Sequence, residues 1–112
     1  MVDPLRRVLV KRPGEAFAVD DPAVWHYAGQ PDLEVAQQEH DALVEILREA
    51  GAEVLYHEEH QPHRADAIFV HDPAIVTDHG AIILRMGKEL RRGEEPALAR
   101  RLQELGVPIL YQ

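Results

Sequence analysis

The sequence predicts an α/β fold built from β-β-α-β units, and three observations support this prediction. Short β-branched runs alternate with two segments whose apolar residues recur at three- and four-residue spacing. Each of these helix-like segments ends at a glycine and leads directly into another apolar run. The two joints, LREAGAEVLY at 47–56 and LQELGVPILY at 102–111, match at Leu, Glu, Gly, Leu and Tyr. This match indicates an internal repeat, although helix–glycine–strand joints also resemble one another in unrelated folds.

The chain begins with a predicted strand and a long loop. Residues 6–12, RRVLVKR, are apolar and β-branched in the middle and stop at a Pro-Gly pair, which predicts a strand. Residues 14–31 are interrupted by Pro and Gly and contain Trp25. A loop of this length in a compact domain usually serves a function, and its aromatic residues favour packing over another part of the molecule. We therefore expect an ordered loop.

Residues 32–50 form the clearest predicted helix. Asp32 can cap its first turn, and Gly51 is well placed to end it in the left-handed conformation. Its apolar face, read from the three- and four-residue spacing, comprises Leu33, Ala36, His40, Leu43, Val44 and Leu47. Residues 52–58, AEVLYHE, follow as a second predicted strand.

The carboxyl-terminal half is predicted to contain four strands and one helix. The strands are expected at residues 67–70, 74–77, 81–85 and 107–111. The segment Asp78-His79-Gly80 predicts a hairpin turn between the second and third of them. The helix is expected from Glu94 to Leu105, with Pro96 in its first turn and Gly106 just beyond its end. The hairpin, the helix and the last strand together make one β-β-α-β unit.

Composition predicts one soluble globular domain, since 46% of the 112 residues are apolar and 29% are charged. The net charge of -8 argues against nucleic-acid binding, because an acidic surface repels phosphate backbones. No apolar run approaches the roughly 18 residues that cross a bilayer, and the start lacks signal-peptide features, so a cytoplasmic protein without membrane partners is expected. The absence of cysteine excludes disulfides, thiolate metal sites and a cysteine nucleophile within this chain.

Two aspartates flank a short apolar run in DAIFVHDP, residues 66–73. If this run is an extended strand, Asp66 and Asp72 lie on the same face, because side chains alternate with period two. Two carboxylates on one face can hold a cation, and a planar guanidinium suits them best because its donors match carboxylate oxygens. The alternative is that Asp66 ends a loop and Asp72 caps a turn.

A basic cluster in RMGKELRR, residues 85–92, contrasts with the acidic charge of the whole chain. Arg85, Lys88, Arg91 and Arg92 lie between a predicted strand and a predicted helix. They form either a solvated connector paired with nearby glutamates or an anion clamp, because a bidentate arginine can hold a carboxylate or a phosphate. Carboxylates for a cation and arginines for an anion would together suit a zwitterion such as an arginine derivative.

Seven histidines are many for a chain of this length, and His57, His60 and His63 form an H-x-x-H-x-x-H pattern. Imidazoles are common zinc ligands, so a metal-binding module is one functional alternative. These residues span a strand end and a Pro-containing loop, with no helix to align them, so exposed loop histidines are the simpler interpretation. His40 lies on the apolar helix face and is interpreted as a histidine at the edge of the core. We therefore predict neither a metal nor a cofactor.

The stretch DAIFVHDPAIVTDHGAIILRMGKELRRGEE resembles the guanidino-group-modifying, or pentein, superfamily. This superfamily includes arginine deiminases, dimethylarginine dimethylaminohydrolases and amidinotransferases. The shared pattern is D-x-x-F-x-x-D-P, a hairpin and then R-x-G-x-x-x-R-R-x-E, formed here by Asp66, Phe69, Asp72, Pro73, Arg85, Gly87, Arg91, Arg92 and Glu94. The opening VKRPGEAF and the central helix also fit the amino-terminal portion of that family.

The resemblance implies a five-bladed α/β propeller of β-β-α-β modules around a central site. Residues 1–112 would then be a partial domain, roughly the first two modules, with repeat units at about 6–57 and 67–111. The last strand agrees with this expectation, since Gln112 follows it directly and no later segment covers its far edge.

The resemblance also implies roles for four side chains. Asp72 would accept hydrogen bonds from the substrate guanidinium, and Asp66 would sit beside it, supporting either the site or the substrate amino group. Arg91 would clamp the substrate α-carboxylate, and Phe69 would pack beneath the site. The loop over residues 14–31 would lie near the entrance.

Family hydrolases attack the guanidinium carbon with a cysteine near the carboxyl terminus, helped by a histidine and an acidic residue. This chain has no cysteine, and it ends where the next acidic segment of the family is expected. We therefore expect the substrate-positioning part of a hydrolase or transferase, inactive alone, with an arginine-like substrate and a complementary carboxyl-terminal chain as partners. A non-catalytic α/β module that forms a homo-oligomer is the alternative. His71 stands where relatives often carry an acidic or polar residue, which leaves the substrate open.

Overall fold

A computed structural model of the protein describes residues 3–19 and 21–112. The chain divides into two compact units, the first ending at Ile68 and the second running from Phe69 to Gln112. Within the described ranges, no helix is both long enough and apolar enough to span a membrane.

The first unit contains a β-α-β element. Strand β1 (Arg7–Val10) pairs in parallel with strand β2 (Glu53–Tyr56), and helix α1 (Leu33–Glu49) connects them. Both predicted strands are confirmed, but each is shorter than the apolar pattern indicated. The two strands pair in register over four residues each, and beyond them only single bonds, from the Glu53 N–H to the Arg6 carbonyl and from the His57 N–H to the Val10 carbonyl, continue the pairing.

Helix α1 begins and ends as predicted from its local signals. The Asp32 carboxylate accepts a hydrogen bond of 3.1 Å from the Val35 N–H, which satisfies one of the free donors of the first turn. Val44 is the most buried residue of the helix, with 1% of its surface exposed. Gly51, just past the end, adopts a φ of +96°, a conformation that costs other residues free energy.

The loop over residues 14–31 is ordered where the structure describes it, as predicted, while Asp20 lies outside the described residues. Two short 3-10 helices, Glu15–Phe17 and Pro22–Trp25, interrupt it. Trp25 is buried, and the rings of Phe17 and Tyr27 lie 6.0 Å apart between their centroids. The aromatic residues therefore anchor this loop within the first unit.

The second unit has the order β-β-α-β. Strands β3 (Ala74–Thr77) and β4 (Gly80–Ile83) form an antiparallel hairpin, which confirms the turn predicted at residues 78–80. Helix α2 (Glu94–Glu104) follows, and strand β5 (Ile109–Tyr111) pairs in parallel with β4. The core of this unit lies between the helix and the sheet and contains Ala81, Ile83, Ala97, Leu98 and Leu102.

Both helices end in the same local geometry. The glycine N–H after each helix donates to the carbonyl three residues earlier, and the next N–H donates to the carbonyl five residues earlier. The four bonds are Gly51 to Arg48, Ala52 to Leu47, Gly106 to Gln103 and Val107 to Leu102, at 2.9, 3.1, 3.0 and 2.9 Å. Because this arrangement is common at helix ends, the repeat units predicted at 6–57 and 67–111 stay a prediction.

The prediction of a strand over residues 67–70 is wrong. Ala65–Ile68 form a 3-10 helix, and a turn follows in which the Asp72 N–H donates to the Phe69 carbonyl at 3.2 Å. Backbone groups that a strand would offer to a neighbour are thus bonded locally. The alternation that placed Asp66 and Asp72 on one strand face is wrong for the same reason.

His40 lies on the inner side of α1, as expected for a residue at the edge of the core, and is partly buried. Its Nδ1 atom is buried without a hydrogen-bond partner among the described residues. Burial lowers the pKa of His40 because it disfavours the charged imidazole, and this effect exceeds the opposing attraction of Asp41. Protonation of His40 therefore favours the unfolded chain.

We expect His40→Gln to reduce the loss of stability on acidification. Because the pKa of His40 is lower in the folded state, its contribution to stability is complete above about pH 6.5 and falls as the pH drops below that value. Urea denaturation between about pH 7 and 5 should show a shallower slope for the variant. His79→Gln, at an exposed histidine, serves as the control, and equal slopes for both variants would contradict the prediction.

Candidate functional site

Arg91 is the centre of a buried charge network in the second unit. It ends the short 3-10 helix Glu89–Arg91 between β4 and α2, and only 7% of its surface is exposed. Its Nε lies 3.0 and 3.1 Å from the two Glu94 carboxylate oxygens, and its Nη2 donates to Glu94 Oε2 at 2.8 Å. This fork geometry is the strongest form of arginine–carboxylate pairing, and Glu94 is itself only 2% exposed.

The two Nη groups of Arg91 also bind the turn over residues 69–72, which contains Asp72. Nη1 donates to Asp72 Oδ2 at 2.6 Å, and Nη2 donates to the Phe69 carbonyl at 3.3 Å. Burial disfavours the guanidinium charge, but the hydrogen bonds to Glu94 and Asp72 outweigh this cost and raise the pKa of Arg91. Arg91 therefore links the start of α2 to the 69–72 turn as a permanent cation.

Asp72 is the half-exposed end of this network. Its side chain is 36% exposed, compared with 3% for the side chain of Glu94. Oδ2 is held by Arg91, while Oδ1 lies 2.9 Å from His71 Nε2 on the exposed side. Phe69, 42% exposed, places its ring edge-on to the His71 imidazole with centroids 6.5 Å apart. The arrangement presents a fixed carboxylate, with an exposed aromatic ring nearby, to a ligand from solvent.

Arg91 keeps a limited capacity for a ligand anion. A guanidinium has five N–H donors, and the Nε–H, both N–H groups of Nη2 and one of Nη1 bind protein acceptors. Among the described contacts, the second N–H of Nη1 has no acceptor. Arg91 is thus chiefly bound to the protein, with one donor left beside Asp72.

Glu95 holds the connector before α2. Its Oε1 accepts from the Met86 N–H at 2.8 Å, and its Oε2 accepts from the Gly93 N–H at 2.7 Å. From the sequence, Glu94 was placed in the family motif and the glutamates near the basic cluster were interpreted as its surface partners, and neither interpretation predicted that Glu94 and Glu95 are buried. The available signal was the R-R-x-E spacing, which places a carboxylate three residues after Arg91, at the positive end of a helix.

The other predicted site residues are distributed differently. Asp66 belongs to the first unit, is 8% exposed, and accepts a hydrogen bond of 2.6 Å from the Tyr27 hydroxyl. Arg85 is exposed, and Arg92 donates to the Met86 carbonyl at 3.3 Å. The network around Arg91 thus contains Asp72 and Phe69, whereas Asp66 anchors the 14–31 loop through Tyr27.

The histidine pattern at residues 57–63 forms no metal cluster. In the ranges that the structure describes, no three His, Asp or Glu side chains converge as metal ligands. His57 is buried with its Nε2 3.3 Å from the Gln61 amide nitrogen, while His60 and His63 line an open hollow of about 360 Å³ beside Trp25.

The matching family model and the similar proteins define the class of protein: the chain is a member of the guanidino-group-modifying, or pentein, superfamily. Within that class, the family described as "N,N dimethylarginine dimethylhydrolase, eukaryotic" matches residues 24–111, so the chain belongs to this family. The match includes Asp66, Phe69, Asp72 and Arg91, the four residues singled out from the sequence.

Two curated relatives show the extent of the similarity. The N(G),N(G)-dimethylarginine dimethylaminohydrolase of Pseudomonas aeruginosa is 29% identical over 100 residues, which are 88% of this chain and 37% of that protein. The arginine deiminase of Clostridium perfringens is 46% identical over 55 residues, or 46% of this chain and 13% of that protein. The chain therefore spans well under half the length of either relative.

Solved structures share the fold at lower sequence identity. A dimethylarginine dimethylaminohydrolase adduct with 4-chloro-2-hydroxymethylpyridine superposes with a TM-score of 0.77 at 24% identity, covering 96% of this chain and 40% of that chain. Unliganded AgrE gives a TM-score of 0.78 at 20% identity, covering 98% of this chain and 16% of that chain. The coverage fits the amino-terminal portion of such enzymes.

Proposed function

We propose that these 112 residues are the substrate-positioning part of a hydrolase or transferase that acts on the guanidino group of an arginine-like molecule. The observation that carries the proposal is the half-exposed Asp72 carboxylate, oriented by the buried Arg91. Family membership supports it, because the relatives include a dimethylarginine dimethylaminohydrolase and arginine deiminases.

Asp72 accepts hydrogen bonds from the substrate guanidinium in this proposal. A carboxylate whose direction is fixed loses little conformational entropy when a planar cation binds, and charge-assisted bonds between the two are strong. Phe69 offers its exposed ring to the apolar part of the substrate. The remaining Nη1 donor of Arg91 faces the substrate carboxylate.

The chain by itself carries out no turnover, because it has no cysteine to attack the guanidinium carbon. The nucleophile and the remaining substrate contacts belong to a complementary carboxyl-terminal part, which completes a propeller of β-β-α-β modules. The observed β-β-α-β order of the second unit supports this architecture, as do the two equivalent helix ends. Arginine and the methylated arginines are the candidate substrates.

Binding of arginine to the 112-residue chain tests the proposal. We expect saturable amide shifts in NMR spectra around Phe69, Asp72 and Arg91, with a dissociation constant on the order of 1 mM because half the contacts are missing. Citrulline, which has the same length and a neutral ureido group in place of the guanidinium, should bind at least about tenfold more weakly, since a neutral group forms weaker bonds to a carboxylate. A ureido-product assay on the chain alone should remain at background.

Asp72→Asn provides the matched control, because it keeps the shape of the side chain and removes its charge. The variant should no longer distinguish arginine from citrulline. Equal binding of arginine and citrulline to the original chain would contradict the proposal, as would shifts that leave the 69–72 turn unperturbed.

Self-association is the second candidate function, and exposed apolar residues on α1 favour it. Val35, Leu43 and Ile46 are 46%, 49% and 62% exposed, although the helix is otherwise amphipathic. Sedimentation separates the candidates: a concentration-dependent dimer without arginine binding supports self-association, and an arginine-binding monomer supports substrate positioning.

A further inference from the structure

The two carboxylate oxygens of Asp72 contact partners that differ strongly in solvent exposure. Arg91, on Oδ2, has a side chain only 8% exposed and is fixed at its other edge by Glu94. His71, on Oδ1, has a side chain 79% exposed and touches only Asp72 and the Phe69 ring among the described contacts. The first partner is structural, whereas the second is easily displaced.

We propose that His71 is a specificity-determining residue of this site, because its imidazole holds the Asp72 oxygen that a cationic ligand has to take. The inference rests on the proposed guanidinium site at Asp72. A protonated His71 competes with the ligand as a second cation, and a neutral His71 competes only as a hydrogen-bond donor. Histidine is the side chain whose charge changes near neutral pH, so the competition depends on pH.

The charged groups around His71 show what competes at this edge of the site. Asp72 lies 2.9 Å from the His71 imidazole, and Arg91 lies beyond the same carboxylate, on its other oxygen. Glu94 is engaged by Arg91 and lies on the far side of it, so it adds no second anion at the exposed edge. The net effect is one carboxylate oxygen for which a charged imidazole and a guanidinium compete.

The choice of ligand follows from the number of hydrogen bonds that each cation can make. A guanidinium presents paired donors in one plane, while an ammonium is a compact point charge. Because Arg91 holds Oδ2, either cation has to displace the His71 imidazole from Oδ1 to bind Asp72.

Reciprocity provides a test that does not depend on catalysis. If a proton on His71 weakens arginine binding by some factor, bound arginine weakens proton binding to His71 by the same factor. The guanidinium of arginine stays charged at all the pH values needed, so the ligand contributes no titration of its own. The competition can therefore be measured either as a change in arginine affinity or as a change at the His71 imidazole.

The experiment measures arginine affinity of the full 112-residue chain by NMR from about pH 5 to about pH 8. For the original chain, we expect roughly 2- to 5-fold weaker binding at the acidic end, the size expected for an exposed ion pair. His71→Gln should bind arginine with nearly constant affinity over the same range. His79→Gln, the same change at another exposed histidine of this unit, should retain the pH dependence.

Imidazole resonances of His71 supply the second readout. Saturating arginine should shift these resonances, because it displaces the imidazole from Asp72 Oδ1, and citrulline should not. If arginine binds in preference to citrulline but His71→Gln keeps the original pH dependence, this inference fails while the proposed function stands. If no arginine binds to the original chain or to His71→Gln at any pH, both fail.

Discussion

Replacing Arg91 with alanine is expected to lower the free energy of unfolding by about 3–5 kcal/mol. The substitution leaves the Glu94 carboxylate, 2% exposed, without its bidentate partner in a poorly solvated environment. It also removes the donors that hold Asp72 and the Phe69 carbonyl. Breaking one side of a buried ion pair costs more than the pair contributes, because the remaining charge keeps its desolvation penalty.

Arg101→Ala offers a matched control for this prediction. Arg101 also pairs with a glutamate three residues later, Glu104, at 3.1 Å, but these side chains are 29% and 64% exposed. An exposed pair of this kind contributes less than about 1 kcal/mol. In urea denaturation followed by circular dichroism, the midpoint should therefore fall strongly for Arg91→Ala and slightly for Arg101→Ala.

A double substitution isolates the cause of the loss. Arg91→Met combined with Glu94→Leu removes both buried charges, and we expect it to regain most of the stability lost in Arg91→Ala. A double variant as unstable as Arg91→Ala would show that packing, rather than a buried Glu94 charge that has lost its bidentate partner, explains the loss of stability. The double variant should nevertheless fail to bind arginine, because Asp72 loses its orienting partner.

Gly80→Ala is expected to destabilise the second unit by about 2–4 kcal/mol. Gly80 opens strand β4 with a φ of +145°, a conformation unfavourable for any residue with a Cβ. An added Cβ would lie 2.5 Å from the Pro108 carbonyl oxygen and 3.0 Å from Leu110 Cγ. That carbonyl accepts the Ala81 N–H bond that starts the pairing of β4 with β5, so neither strand can retreat without breaking it.

Gly87→Ala serves as the control in the same unit. A Cβ at Gly87 meets no atom within 4 Å, so its free energy of unfolding should change by no more than about 0.5 kcal/mol. Both variants are compared by their urea midpoints. A Gly80→Ala midpoint equal to that of the original chain would mean that β4 and β5 do not pair in this register.

Helix boundaries were predictable because their signals are local. The capping carboxylate of Asp32 acts on a residue three positions away, and the glycines after both helices act on carbonyls within five positions. The β3–β4 hairpin followed from its turn in the same way. The motif residues of the family were also visible directly, since they occur in one continuous stretch.

The segment around Asp66 shows why the rest was not predictable. Its apolar run is equally compatible with a short strand and a single helical turn, so periodicity could not decide between them. What decided was tertiary: Tyr27, far along the chain, binds Asp66, and Arg91 binds the Phe69 carbonyl. Neither partner can be inferred from neighbouring residues.

By itself, the sequence determined the two helices, the hairpin, the family motif and the set of charged residues from which a site could be built. Only the tertiary structure decided that Arg91 and Glu94 are buried and that Asp72 is the member left half-exposed. The physical reason is that burial changes the energetics of a charge. An arginine on the surface is a free ligand for anions, whereas the same arginine between two carboxylates chiefly orients one of them.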